Sequence, residues 1–372
     1  MKSVEALLAR GVAERVFPTA RAEVWHRGAR VFAGGTPEPA GRPFQFDVAS
    51  LTKVLVTTPV AMQLAAAGAF KLEATVRSVL PAAVAPEVTF EDLLFHRSGL
   101  PGWKPLFAEV MRAQPELFTP DAPEAARQSA RTALVSAALK LRSTGWRCER
   151  AEYSDIGFLL LGAALEKATG AELPELFTRL VTTPLQLTHP GAPAFHPLAR
   201  RSAWSPDDSP PTGTTRPRPP APGQEGSFTL EERPSAPGEV DDDNAWAMNG
   251  VAPHAGLFAS AGDVAAIGQA ILAGWIRPER GWGPDAQTPE SSRTLGFDTP
   301  FSEAPSCGKR FGRGEKGGIG HTGFTGCSLW IDFTRELVVV LLTNRVALGR
   351  ANRAIISFRP VFHDAVLDEL SR

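Results

Sequence analysis

The residues best placed for chemistry are Ser50 and Lys53. They stand three apart in Phe46-Asp47-Val48-Ala49-Ser50-Leu51-Thr52-Lys53, where a loop-like segment passes into an apolar helix. If Ser50 opens that helix, Lys53 lies one turn on, on the same face, with its amine in reach of the hydroxyl. The positive end of the helix favours an alkoxide on serine and disfavours an ammonium on lysine. Burial lowers a lysine pKa in the same direction. A neutral lysine beside a serine is a general base beside a nucleophile. The spacing alone is a common accident. It recurs at Ser306-Cys307-Gly308-Lys309, which follows Pro305 and reads as a loop with no helix to set its geometry.

A second candidate comes from composition. The chain has 21 Phe and 8 Trp but one tyrosine, Tyr153, so aromatic packing is done without phenols and the lone phenol is free for chemistry. His254, just before Ala255-Gly256-Leu257-Phe258, stands where glycine permits a close backbone approach and so is a candidate to line a cleft. His96 reads as a capping or buried structural residue, and His26, His189, His196 and His363 as surface or packing residues. Asp241-Asp242-Asp243 lacks the spacing of a calcium loop and reads as a solvated turn. Glu166 and Lys167 read as a solvated pair on the polar side of an apolar helix.

These residues must be carried by elements that can be read from periodicity. Met1 to Arg15 is an amphipathic helix through Val4, Leu7, Leu8 and Val12, followed by a hairpin of strands 21–26 and 30–33 around Arg27-Gly28. The helix after Ser50 runs to about Ala67 and stops at Gly68, with a kink or break expected at Pro59. Thr89-Phe90-Glu91-Asp92 is a capping box opening a short helix, and residues 80–200 are mainly helical, with Ile156–Thr169 strongly apolar and ended by Gly170. Ser205–Gly238 is a Pro-rich loop or lid. A second cap at Ser260 leads into a helix over 264–275. Gly317–Gly320, Cys327–Phe333 and Leu337–Thr343 form an antiparallel meander, and 352–370 closes the chain as a helix. The expected fold is of α/β (α+β) type: N- and C-terminal strands in one antiparallel sheet, covered by the terminal helices. The expected division is residues 1–80 plus 280–372 as the sheet domain and 81–279 as a mainly helical insertion, with the site in the cleft between them.

The 372 residues are 43% hydrophobic and 21% charged, enough for a sizeable core. A net charge of -1 gives no electrostatic footprint for nucleic acid or an anionic membrane. Cys148, Cys307 and Cys327 are odd in number and widely spaced, which fits free thiols rather than a zinc site or a disulfide framework. No run is long enough to span a bilayer and no signal peptide is visible. A cytoplasmic protein is expected, with an exported form starting further upstream as the alternative. Oligomeric state is unreadable.

Three motifs occur in order: Ser50-Leu51-Thr52-Lys53, Tyr153-Ser154-Asp155 and His321-Thr322-Gly323. This set resembles the penicillin-recognising serine hydrolases, most closely the class C β-lactamase-like family of esterases and D-amino-acid peptidases, with Ser-x-x-Lys, Tyr-x-Asn and Lys/His-Thr-Gly. Asp92-Leu93-Leu94-Phe95-His96-Arg97-Ser98-Gly99-Leu100-Pro101, Gly256-Leu257-Phe258-Ala259-Ser260 and Gly320-His321-Thr322-Gly323-Phe324-Thr325-Gly326 extend the likeness over nearly the whole chain. The resemblance implies that Ser50 forms an acyl-enzyme, that Lys53 shuttles its proton, and that Tyr153, with a depressed pKa, activates the deacylating water. It places the oxyanion on the N–H groups of Ser50 and Phe324, and implies a small-molecule acyl substrate with no metal or organic cofactor. Two departures stand out. Asp155 replaces Asn; an ionised Asp only accepts, and beside Lys53 it raises the lysine pKa, against the base role. His321 replaces a permanent cation by a group mostly neutral near pH 7. Both favour small esters or amides over β-lactams and terminal D-Ala peptides. A D-Ala carboxypeptidase or weak β-lactamase is the second reading, and a catalytically silent sensor of such ligands the third.

Overall fold

The computed structural model describes residues 1–39, 41–83, 87–114, 124–143, 151–196, 205, 207–213, 215–218, 229–232, 235–288, 290–314 and 316–372. Cys148 lies outside them, as does part of the Pro-rich stretch. In chain order, α1 (Lys2–Ala13) leads to the hairpin β1 (Ala20–His26) and β2 (Ala29–Gly35), then the short strand β3 (Phe46–Asp47) and α2 (Thr58–Ala66). The helical region comprises α3 (Val76–Val79), α4 (Phe90–Leu94), α5 (Leu106–Ala113), α6 (Glu124–Leu139), α7 (Asp155–Thr169) and α8 (Leu173–Phe177). Next come β4 (Ala194–Phe195), β5 (Thr215–Arg218), β6 (Thr229–Glu232), α9 (Asp243–Ala247), β7 (Leu257–Ala259) and α10 (Ala261–Leu272). The chain ends with β8 (Gly318–Thr322), β9 (Ser328–Asp332), β10 (Leu337–Thr343) and α11 (Ile355–Leu370).

The terminal strands do form one antiparallel sheet, in the order β2-β1-β10-β9-β8. The hairpin closes through left-handed backbone at Arg27 and Gly28 (φ 52° and 76°), the twist that two-residue hairpins need. Alternation along β10 divides the core. Val338, Val340 and Leu342 face α10 and the helical region, while Leu337, Val339 and Leu341 face α1 and α11. Both faces are covered, which is why β10 reads as a continuous apolar run. At Gly268 of α10 a Cβ would stand 2.8 Å from Val338 Cγ1, so only glycine lets this helix sit so close to the sheet. A smaller sheet, β3-β7-β4, ties the segment before Ser50 to the loop after His254. Within the stretch expected to be loop, β5 and β6 pair as an antiparallel ribbon.

Pro59 does not break its helix. The helix starts at Leu51 and widens into a π-turn over Lys53–Thr57, where the N–H of Thr58 reaches back to the carbonyl of Lys53. Pro59 has no N–H for the usual i→i−4 ladder, and one wider turn accommodates it. The helix stops before Gly68 (φ 70°), and α7 is opened by the Ser154 side chain and stopped by left-handed Gly170.

Candidate active site

Ser50 sits on a tight connection from β3 to the helix. Ala49 takes a left-handed conformation (φ 48°), uncommon for a residue with a Cβ. Asp47 holds it there. One carboxylate oxygen accepts the Ala49 N–H at 2.9 Å and the other accepts the Asp241 N–H at 2.7 Å. The Asp47 carbonyl accepts from Thr325 Oγ1 at 2.8 Å, so the turn between β8 and β9 bears on the same point. Val48 N–H donates to Leu257 O, and Thr52 Oγ1 donates to Ala49 O. The position of Ser50 is thus fixed by three separate segments.

Lys53 is fully buried one turn further on. Its Nζ donates to Ser50 Oγ at 3.1 Å and to the His254 carbonyl at 2.9 Å, and pairs with Asp155 Oδ1 at 2.6 Å. An ammonium has three N–H groups, and three acceptors surround this one. Burial pulls the Lys53 pKa down, but Asp155, with Tyr153, outweighs it and the net shift is upward. The neutral lysine expected from the helix end and burial is therefore corrected: the Asp155 charge wins, as the Asp-for-Asn departure implied.

Tyr153 precedes the cap of α7. The Ser154 N–H donates to His96 Nδ1 at 3.0 Å, Ser154 Oγ donates to Pro101 O, and the Asp155 N–H donates to Gly102 O. His96 also lies against the phenol at a tilt of 35°, with ring centroids 4.6 Å apart, while the Arg293 guanidinium lies 5.0 Å from the phenol's centroid. The Tyr153 hydroxyl is buried without a well-aligned hydrogen bond. Burial raises its pKa; Lys53 and a Ser50 contact oppose this, Asp155 adds to it, and the net is upward. The depressed phenol pKa implied by the resemblance is thus also corrected. Both Lys53 and Tyr153 rest protonated.

The third motif ends β8. His321 Nδ1 lies 2.7 Å from Thr322 O, which places the proton on Nδ1 and leaves Nε2 unpartnered and buried. Burial, with Arg293 and Lys53 nearby, holds its pKa well below the usual histidine range, so the ring is neutral. Gly323 donates its N–H to Cys327 O at 2.7 Å and opens the turn into β9. Phe324 is half exposed, with Arg345 Nε donating to its carbonyl at 2.7 Å and the guanidinium stacked 4.5 Å from its ring. Among the described residues, neither the Ser50 nor the Phe324 N–H donates to a backbone carbonyl.

Ser50, Tyr153, Asp155, His321, Thr322, Gly323 and Phe324 converge on one cleft of about 620 Å³. His254 joins it only through its carbonyl on Lys53; its side chain is buried and its Nε2 lies 3.0 Å from Asp242. The solvated turn expected at Asp241–Asp243 is corrected too. Asp241 and Asp243 are buried and pair with Arg350, while Asp242 caps α9. Glu166 pairs with Arg131 rather than Lys167. Arg293, Trp103 and Arg345 line the cleft unforeseen: Arg293 and Trp103 lie in irregular segments with no periodic signal, and Arg345 opens a single 3-10 turn just after β10. A second serine–histidine pair, Ser328 and His363, is sealed in the core. Among the described residues no three His, Cys, Asp or Glu side chains converge as metal ligands, and no helix is long and apolar enough to cross a membrane.

A five-stranded antiparallel sheet backed by the terminal helices, a helical region opposite, and a Ser-x-x-Lys helix at their junction define the β-lactamase/transpeptidase fold, shared with solved penicillin-binding-protein homologues and class C β-lactamases. The chain belongs to the Beta-lactamase family, whose match spans residues 4–357 and whose members are hydrolases. It is 28% identical over 328 residues to an N-acetylmuramyl-L-alanine amidase of Bacillus subtilis (strain 168), covering 81% of this chain and 68% of the amidase. It is 30% identical over 212 residues to a protein of Escherichia coli (strain K12) provisionally named D-alanyl-D-alanine carboxypeptidase, covering 52% of this chain and 44% of that one. The chain thus spans less than half of that relative. The structure of EstCE1, described as a hydrolase with promiscuous acyltransferase activity, superposes with a TM-score of 0.66 at 20% identity, covering 97% of this chain and 98% of that chain.

Proposed function

We propose that the protein is a serine hydrolase that transfers the acyl group of a small ester or amide to Ser50 and then to water. The observation that carries this reading is the contact of Lys53 Nζ with Ser50 Oγ at 3.1 Å, in a cleft that Tyr153 and Asp155 also line. Lys53, held as an ammonium, donates to Ser50 Oγ and stabilises its developing alkoxide. Tyr153 in its phenolate form takes the Ser50 proton as Oγ bonds to the acyl carbon. Collapse of the tetrahedral intermediate breaks the bond to the leaving group, which takes that proton. Water attacks the acyl-enzyme, Tyr153 accepts its proton, and Ser50 recovers it as the acid departs. The Ser50 and Phe324 N–H groups hold the oxyanion.

A fluorophosphonate probe tests this. Wild type labels at Ser50 and Ser50→Ala does not; a folded wild type that stays unlabelled makes the silent sensor the better account. A D-Ala carboxypeptidase or weak β-lactamase is the second reading, favoured by the name of the Escherichia coli relative. The neutral His321 favours the ester reading, because the position offers no permanent cation to a substrate carboxylate. Stable labelling by a fluorescent penicillin at low micromolar concentration would reverse that preference.

A further inference from the structure

Among the described residues seven large apolar side chains are exposed, and three of them, Trp103, Phe324 and Ile356, line the cleft that holds Ser50. They are 45%, 51% and 53% exposed. Their positions are built. Phe324 is clamped by Arg345, which stacks on its ring, holds its carbonyl and donates in turn to the carbonyl of Asn352. Trp103 follows Gly102, whose carbonyl accepts the Asp155 N–H at 2.8 Å, so this indole is tied to the segment that carries Tyr153. At the start of α11, Ile355 is buried in the core while Ile356 faces outward. Apolar surface therefore bounds the nucleophile from the Tyr153 side and from the Phe324 side. Most charges that line the cleft are engaged: Asp241 and Asp243 share Arg350, Asp155 pairs with Lys53, Asp242 with His254 and Arg293 with Asp298, while Arg345 and Arg359 donate to backbone carbonyls; Arg353 is exposed at the rim.

Exposed aromatics held in place around a reactive serine lose area to water unless a ligand covers them. We infer that Trp103, Phe324 and Ile356 are specificity-determining residues that seat an apolar acyl body, a medium-chain alkyl or aryl group, against the attacking Ser50. This rests on the acyl-transfer reading above and narrows its substrate class.

Ethyl and octyl fluorophosphonates separate the two claims. Each buried methylene is worth roughly fourfold in affinity, so octyl should label Ser50 at least about tenfold faster than ethyl. In Trp103→Ala/Ile356→Ser, and to a lesser degree in Ile356→Ser alone, the octyl-to-ethyl ratio should fall several-fold. Phe301→Ser removes an exposed apolar group outside the cleft and should leave rates and ratio as in wild type. Labelling that is indifferent to chain length, or a ratio unchanged in the double variant, overturns the inference while leaving the acyl-transfer reading intact. No labelling with either probe overturns both.

Discussion

Gly323→Ala tests whether the end of β8 holds the oxyanion donor in place. A Cβ at Gly323 would stand 2.5 Å from the carbonyl oxygen of Val48 and 3.2 Å from Cys327 Cβ. The Val48 carbonyl has little room to retreat, since it also accepts the Leu51 N–H at 3.1 Å in the turn that presents Ser50. Ordinary contact begins at 3.4 Å, so the strand end and the Ser50 turn must part by about 1 Å. The Phe324 N–H, the next donor along, moves with the strand. A displacement of that size in a catalytic constellation costs on the order of 10²-fold, and loss of one oxyanion donor 10²–10³-fold, or about 3–4 kcal/mol of transition-state stabilisation. The loss should fall mainly on kcat, because the donor acts on charge that develops in the transition state. Steady-state hydrolysis of a p-nitrophenyl ester reads it, with thermal unfolding as control. A well-folded Gly323→Ala protein with kcat within about threefold of wild type would refute the placement of the oxyanion at Phe324.

Asp155→Asn keeps the shape and an acceptor for Lys53 but removes the charge that raises both the Lys53 and Tyr153 pKa values. Both should fall, so the acid limb of kcat/KM should move to lower pH; an unmoved or raised limb counts against Tyr153 as base. Arg97→Met leaves Asp92 and Asp285, buried and bonded to Arg97 at 2.6 and 2.8 Å, without their shared cation. A loss of about 3–5 kcal/mol is expected by denaturant unfolding, and less than about 1 kcal/mol would show that the Thr89 and Thr288 hydrogen bonds, with Arg280 beside Asp285, suffice. Asp242 loses from burial but gains more from His254 and the Ala245 N–H, which hold its pKa down from 3.8 to about 2. A depressed carboxylate stabilises the fold above its unfolded pKa and loses that as pH falls through its folded value. Asp242 should thus contribute about 2 kcal/mol at neutral pH, fading between about pH 4 and 2. Asp242→Asn should flatten that part of the acid unfolding profile, and an unchanged slope would refute the assignment.

What could be read in the sequence was local. Ser50 and Lys53 share a helix face because three residues make nearly a turn, and the sheet was legible because β-branched runs alternate with short turns. Gly68 and Gly170 marked helix ends because only a left-handed residue closes them there. Charge was not legible, because it is decided by partners distant in sequence. Asp241 and Asp243 look like solvated carboxylates until Arg350, more than a hundred residues on, is seen to bridge them. Arg293 stacks on Tyr153 from a segment with no periodicity to reveal it. For Lys53 burial was anticipated, but its contest with a carboxylate at 2.6 Å depends on a distance that spacing does not carry; for Tyr153 the burial that raises the phenol pKa was not legible.

That contest narrows which residue can act as base. An amine engaged with Ser50 Oγ, the His254 carbonyl and Asp155 has no lone pair to offer while it remains charged. His321 is neutral and donates Nδ1–H to Thr322 O; its Nε2 lone pair is free, but burial and the neighbouring Arg293 and Lys53, which hold its pKa well below the usual range, make it too weak a base to keep the Ser50 proton. His96 is spent at Nδ1 on the Ser154 N–H. The group left to take a proton from Ser50 is the phenol, and its raised pKa makes the phenolate the scarce species at neutral pH. Substrate binding that expels water would strengthen the Lys53–phenolate attraction along with every other electrostatic interaction in the cleft. If acylation waits on that phenolate, the rate of fluorophosphonate labelling should rise with pH alongside ester turnover. A labelling rate flat from pH 6 to 10 would show that Ser50 is activated without Tyr153.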